Sequence, residues 1–170
     1  SGGTSVIDVA EPGTNLNSSV LTMASLTQAA NSRSTLRVFN VDGNMGSLAR
    51  ILITSAPVLS NNIIGGWAVT EREFASYTPV AGVGALNGVG YAGYSPIAIT
   101  AAGITNTDDN FRMTTIGTTT LTGPTDINSL AMVVAGASTL DLGANTLTVR
   151  SGGLIASNSV DNSAITIGAT

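Results

Sequence analysis

Ten carboxylates and six cations are all this chain has for acid, base or ion chemistry. Its 170 residues include no cysteine and no histidine, and every basic residue is an arginine: Arg33, Arg37, Arg50, Arg72, Arg112 and Arg150. Lacking histidine, it cannot build a Ser-His-Asp triad, an imidazole metal site or an ordinary histidine base. Lacking cysteine, it has no disulfide, thiolate nucleophile or Cys-ligated zinc. Lacking lysine, it has no Schiff-base amine and no phosphate-loop lysine. Carboxylates, hydroxyls and guanidiniums remain, so neither an enzyme nor a bound cofactor is expected.

Asp108-Asp109 is the one adjacent acidic pair, set between Asn106-Thr107 and Asn110. It has oxygens enough for a weak calcium site but no EF-hand spacing. As glycosidase carboxylates the two would need a fixed separation beside a sugar groove. Adjacent side chains point to opposite faces of a strand and are usually solvated in a turn, so a plain turn is expected. Glu71-Arg72-Glu73 is the densest charge cluster; it reads as a solvated turn or, on a neutral surface, as a register-setting contact between subunits. Trp67, Phe74, Tyr77, Tyr91 and Tyr94 gather five of the aromatic rings in one stretch. Such rings serve as core, as interface or as a stacking platform for sugars. The candidate interface or glycan contacts are therefore Trp67, Glu71, Arg72, Glu73, Tyr77, Tyr91 and Tyr94. Gly88, Gly90 and Gly93 have dinucleotide-fingerprint spacing, but the extended, proline-interrupted run Tyr94 to Ile99 follows where a helix would have to open, so a loop is expected. Scattered arginines and a formal net charge of -4 disfavour nucleic acid and anionic lipid as partners.

The elements that must position these residues read as strands. Only 9% of the chain is charged, against about 25% in an average domain, and Ser, Thr, Asn and Gly fill well over two-fifths of it. With 43% hydrophobic residues the chain is too apolar to be disordered. From about Leu121 the apolar residues form short period-2 clusters: Leu130/Met132/Val134, Leu140/Leu142, Leu147/Val149, Leu154/Ala156 and Ile165/Ile167. Leu130 to Leu154 spans 24 residues and Leu140 to Ile165 spans 25, with three clusters in each interval. That spacing predicts an all-β, three-faced β-solenoid with three short strands per coil. Residues 1–120 are expected to form a less regular solenoid portion with longer loops and 121–170 the regular coils, together one continuous domain cut from a longer chain. In such stacking, equivalent positions sit on one another, which favours neutral hydroxyl and amide columns over like charges.

Further strands are expected over Leu36 to Val41, Leu48 to Ile53, Ile63 to Val69, Ser95 to Thr100 and Phe111 to Ile116, with turns at Asp42-Gly43-Asn44 and Thr122-Gly123-Pro124. Ser19 to Ala30 fits a Ser-capped helix, though Thr22 and Thr27 fit strand alternation equally well. No apolar run is long enough to span a bilayer. Ser1 at the start and the strand-like run Ile165 to Thr170 at the end suggest a segment of something longer.

Several runs carry a resemblance. Ser25-Leu26-Thr27, Ser34 to Asn40, Leu48 to Leu59, Ile63-Ile64-Gly65-Gly66-Trp67-Ala68-Val69 and Phe74 to Tyr77, followed by Leu121 to Leu130 and Ser138 to Val149, resemble the repeat unit of autotransporter-like bacterial surface proteins with autotransporter-associated β-strand repeats. Glu71-Arg72-Glu73 departs from the Gly/Asn/Asp-type turn usual there. The resemblance implies a right-handed parallel β-helix passenger, secreted or displayed on the cell surface, without catalytic residues. The resulting expectation is a non-enzymatic structural or adhesive element that self-associates into an oligomer, filament or sheet. A carbohydrate-active enzyme and a sugar-binding adhesion module are the alternatives.

Overall fold

The computed structural model describes residues 3–10, 18–40, 45–100, 104–160 and 162–169. The expected turn at Asp42-Gly43-Asn44, Val41 and the final Thr170 lie outside the described residues. The chain divides into two compact units, Ser1–Gly93 and Tyr94–Thr170. All regular elements described are strands; Ser19 to Ala30 supplies a strand and an extended segment rather than a helix.

In the first unit, β1 (Thr4–Asp8), β3 (Thr35–Phe39), β5 (Ala68–Thr70), β6 (Glu73–Thr78) and β7 (Gly82–Ala85) form one sheet in that order, and β2 (Ser19–Met23) pairs with β4 (Ala49–Ile53) in another. β1, β3 and β5 are parallel, with Thr4 opposite Thr35 and Leu36 opposite Ala68; β2 and β4 are parallel with Leu21 opposite Ile51. Period-2 alternation decides which side chains go inward. Leu36 and Val38 of β3, and Ala49, Ile51 and Ile53 of β4, are buried, while Thr35 and Arg37 face out. Ala68, Ala75, Tyr77 and Val83 complete this core. Arg37 holds its guanidinium 4.6 Å from the centre of the Phe39 ring, two residues along the same face.

In the second unit, β8 (Asn110–Met113), β10 (Thr125–Val134) and β12 (Leu147–Asn158) make one parallel sheet, and β9 (Gly117–Thr120), β11 (Ser138–Asp141) and β13 (Ile165–Gly168) make another. Leu130 lies opposite Leu154 as the 24-residue interval expects, but the 25-residue interval is off register: Ile165 lies opposite Ser138 and Leu140 opposite Ile167. The central strand β10 is buried continuously from Ile127 to Met132, as expected of a parallel strand covered on both faces. Fully burying a side chain such as Leu130 contributes about 1.5–3 kcal/mol. The register shifts between Ile127 and Ser129, and a buried polar cluster occupies the irregularity: Asn128 Nδ2 and Ser129 Oγ both donate to Asn110 Oδ1 at 2.7 Å.

The right-handed parallel β-helix with three strands per coil does not form; only the all-β expectation holds. Among the described residues the strands are distributed over four separate small sheets, and β5, β6 and β7 pair antiparallel in succession. The physical reason is connection length. Two residues, Glu71 and Arg72, join β5 to β6, enough for a hairpin but far short of the dozen or so a parallel crossover needs. In the second unit the Leu147/Val149 and Leu154/Ala156 clusters merge into one strand, so one strand, β11, separates β10 from β12. Ser95 to Thr100 forms bends and turns, and Ile63 to Gly66 an irregular turn before β5.

The antiparallel part is fastened by tyrosines. Tyr77 on β6 is buried; its hydroxyl donates to Ile53 O at 2.9 Å and accepts from Ile53 N, completing the backbone pairing at the end of β4. Tyr91 donates to Gly82 O at 3.1 Å and lies against Gly46, Gly84 and Gly88, where a side chain would occupy the ring's space. Replacing Gly84 by alanine puts a methyl into the Tyr91 ring. Gly84→Ala is therefore expected to cost about 1–3 kcal/mol, measured as a lowered urea midpoint, with Gly90→Ala, where φ is positive but space is open, as the comparison for backbone strain alone.

Candidate functional site

The candidate aromatic residues separate by what already occupies them. Phe74 is fully buried and Tyr77 is committed to Ile53. Tyr91 is half-buried, and burial, with a smaller contribution from nearby Tyr77, pushes its phenol up to about 12. Tyr94 belongs to the second unit and is half-buried. Trp67 differs: it packs partly on the first core, and its indole lies over Gly65, where the absence of a Cβ leaves room for the ring. Trp67 is partly buried, and among the described residues no protein group accepts from its Nε1.

Trp67 lines two depressions of about 310 and 450 Å³, which share Leu26, Thr27 and Gln28 as their common wall. The wall is the extended segment after β2. It is tied at its start by Thr54 N donating to Met23 O and Ser55 N to Ala24 O, each 2.9 Å. At its far end Ser32 N donates to Ala29 O at 3.0 Å, closing a turn in which Asn31 takes φ 61°, a left-handed conformation that asparagine tolerates. Gln28 Nε2 crosses the neck of this turn to Ser34 O at 2.8 Å, and Ser32 Oγ donates to Ser34 Oγ at 2.8 Å. Ser5, Ser32, Ser34 and Thr35 are among the residues lining the first depression, and Ser55 and Pro57 among those lining the second. No charged residue lines either one. Of these residues only Trp67 stands out by type; Gln28, Ser32 and Ser34 converge through the turn, whose one local signal is Asn31.

The charged candidates are not gathered with Trp67 into that wall. Glu71 and Arg72 are the exposed central residues of the β5–β6 hairpin, Glu71 with φ 48°, and Glu73 is buried at the start of β6 with Asn87 Nδ2 donating to its Oε1 at 3.2 Å. In the second unit Asp108 is exposed in a turn whose amide donates to Asn106 Oδ1, and Asp109 Oδ2 accepts from Ser95 Oγ at 2.8 Å. Among the described residues no cluster of three or more potential metal ligands exists. In the glycine run, Gly88 N donates to Ala85 O, Tyr91 N to Gly88 O and Gly93 N to Leu86 O. These amides are turned onto the loop's own carbonyls, and no helix follows to receive a phosphate.

One charged pair was not singled out by sequence. Arg150 on β12 holds Asp126 on β10 through Nε, at 2.8 Å, and through Nη2. The bidentate contact keeps the Asp126 carboxyl below its usual range and raises the guanidinium further. Separately, Arg50 Nε and Thr70 Oγ1 are buried without a hydrogen-bond partner among the described residues. Comparison of the chain with protein families, with curated proteins and with solved structures finds no match.

Two titrations follow with opposite signs. Tyr91 has a folded pKa above its unfolded value, so its contribution is complete below about pH 10 and is lost as pH rises toward about 12. Tyr91→Phe is expected to flatten the alkaline fall in the urea midpoint. Asp126 has a lowered pKa, so its contribution is present above the usual carboxylate range and disappears on acidification. Arg150→Ala should remove that acid-side dependence while leaving the alkaline limb unchanged.

Proposed function

We propose that the chain is a non-enzymatic structural element, secreted or held at a cell surface, that self-associates through its open sheet edges. One observation carries this reading. The edge strands β12 and β13 leave Leu147, Val149, Ile165 and Ile167 half-buried: these side chains pack on the second core and no further strand covers them among the described residues. An uncovered strand edge is a template for another chain.

The occupant proposed is a second copy, through its β1 and β2. These too are edge strands, with Val6, Val20 and Leu21 exposed. The β9–β11–β13 sheet already stacks Thr118 beside Thr139 and Thr139 beside Thr166, and further Thr or Ser from β1 suits such a column. Asp8 is the only ionisable residue of β1 and β13 carries none, so no like charges meet where β1 joins that edge. The non-enzymatic reading is supported by the missing histidine, cysteine and lysine and by the engagement of Asp109 and Glu73 in hydrogen bonds. The location rests on the repeat-unit resemblance.

Sedimentation velocity and electron microscopy across micromolar to millimolar protein test the assembly. Concentration-dependent growth is expected. Ile167→Pro, which removes a donor from an edge strand, should stop growth, with circular dichroism retained. A monodisperse monomer throughout, or growth unaffected by the substitution, would overturn the reading.

A further inference from the structure

We propose that the groove around Trp67 binds a neutral saccharide. The groove meets the β1 edge at Ser5, but sugar binding by the single chain does not depend on self-association.

Three properties of the groove limit the ligand's chemistry. First, no ionisable side chain lines either depression. A phosphate, a uronic acid or a metal ion would give up part of its hydration there without a countercharge to offset the loss. Second, the lining is neither wholly polar nor wholly apolar. Trp67, Leu26 and Leu36 are its apolar lining residues, and Thr27, Gln28, Ser32 and Ser34 add hydroxyl and amide groups. A purely aliphatic ligand would bury those polar groups without partners. A pyranose presents the matching combination: a face of C–H bonds to lie against an aromatic ring and a rim of hydroxyls that both donate and accept. Third, the depressions adjoin along the Leu26–Gln28 wall, so neighbouring residues of one oligosaccharide can occupy them together. Their volumes fall in the range of small-molecule pockets.

The groove is also held in shape. Gln28 is fixed through its Nε2 to Ser34 O, leaving its Oε1 to accept, and Ser32 is fixed to Ser34. Trp67 is seated on Gly65, its Nε1 edge lying where a Cβ would be. Groups fixed before binding lose less conformational entropy when a ligand arrives. The tyrosines do not share this character, since the hydroxyls of Tyr77 and Tyr91 are already bonded to backbone carbonyls.

Trp67 is the only tryptophan, so intrinsic fluorescence reports on this groove directly. The probes are cellohexaose, maltohexaose and chitohexaose, with hexagalacturonate as the charged comparison and a Ser/Thr/Pro-rich peptide as the other ligand class. At least one neutral hexaose should shift the emission saturably at submillimolar concentration, and hexagalacturonate should not. Gln28→Ala, which keeps the reporter, should weaken that affinity at least fivefold. Trp67→Ala should abolish retention of the protein on the same immobilised sugar, with circular dichroism showing that the fold persists. Tyr91→Phe should bind as the parent does. The proposal is overturned if no neutral sugar shifts the emission, if the peptide or the acidic sugar alone does, or if Gln28→Ala, folded, binds the sugar unchanged.

Discussion

Parallel pairing in near register is the constraint on which most of this structure depends. Each residue of such a strand lies about 4.8 Å from the residue at the same position of its neighbour, so a side chain has to be compatible with its counterpart one crossover away. Thr4 meets Thr35 and bonds to it, hydroxyl to hydroxyl, at 3.0 Å. Leu130 meets Leu154, and Thr139 stands between Thr118 and Thr166. Like charges repeated at that spacing would repel, and the ion pair of Asp126 with Arg150, across the β10–β12 ladder, joins opposite signs. The 9% charge content is thus a consequence of strand direction as well as a limit on chemistry.

The antiparallel stretch β5–β6–β7 relaxes this constraint, and most of the chain's distinctive residues cluster there. A hairpin strand need not match a counterpart a crossover away, so Glu71, Arg72, Phe74 and Tyr77 can stand close together in sequence. The hairpins also turn Tyr77 and Tyr91 inward, where each hydroxyl satisfies a backbone carbonyl. Gly82 and Gly84 belong to the same arrangement: a Cβ on Gly82 would strike Ile51 O, and one on Gly84 would strike Tyr91. The glycine content here reflects close packing.

What was legible in the sequence was local. Alternation at Leu36/Val38 and Leu130/Met132 marks inward-facing residues correctly, because side-chain direction in a strand has period 2 whatever the partner. Partner and direction were less legible. Nothing in the residue types of Glu71-Arg72 announces a hairpin, since a non-glycine residue at positive φ is held there by the strands on either side. The 24-residue interval from Leu130 marks a true pairing, but the same arithmetic cannot show that residues 147–158 run as a single strand. The tyrosines were indistinguishable from Trp67 as stacking candidates, because their backbone acceptors, Ile53 O and Gly82 O, come from pairings that composition does not specify. The groove wall was hidden for a related reason. Ser25 to Ser34 owes its shape to one turn and to side-chain bonds between residues two and six positions apart.

Column stacking does not explain the neutrality of the groove. Ser25 to Gln28 and Ser55 to Val58 lie outside the strands, where no in-register counterpart forbids a charge. Elsewhere the chain uses that freedom: Glu71, Arg72 and Asp108 all occupy turns and are exposed. Arg33 sits within the loop itself yet is exposed and lines neither depression. An uncharged lining around a partly buried tryptophan therefore has to be accounted for separately from the ladders. A neutral ligand with one apolar face supplies that account, since a nearby carboxylate or guanidinium would be desolvated by such a ligand with no opposite charge to offset the loss.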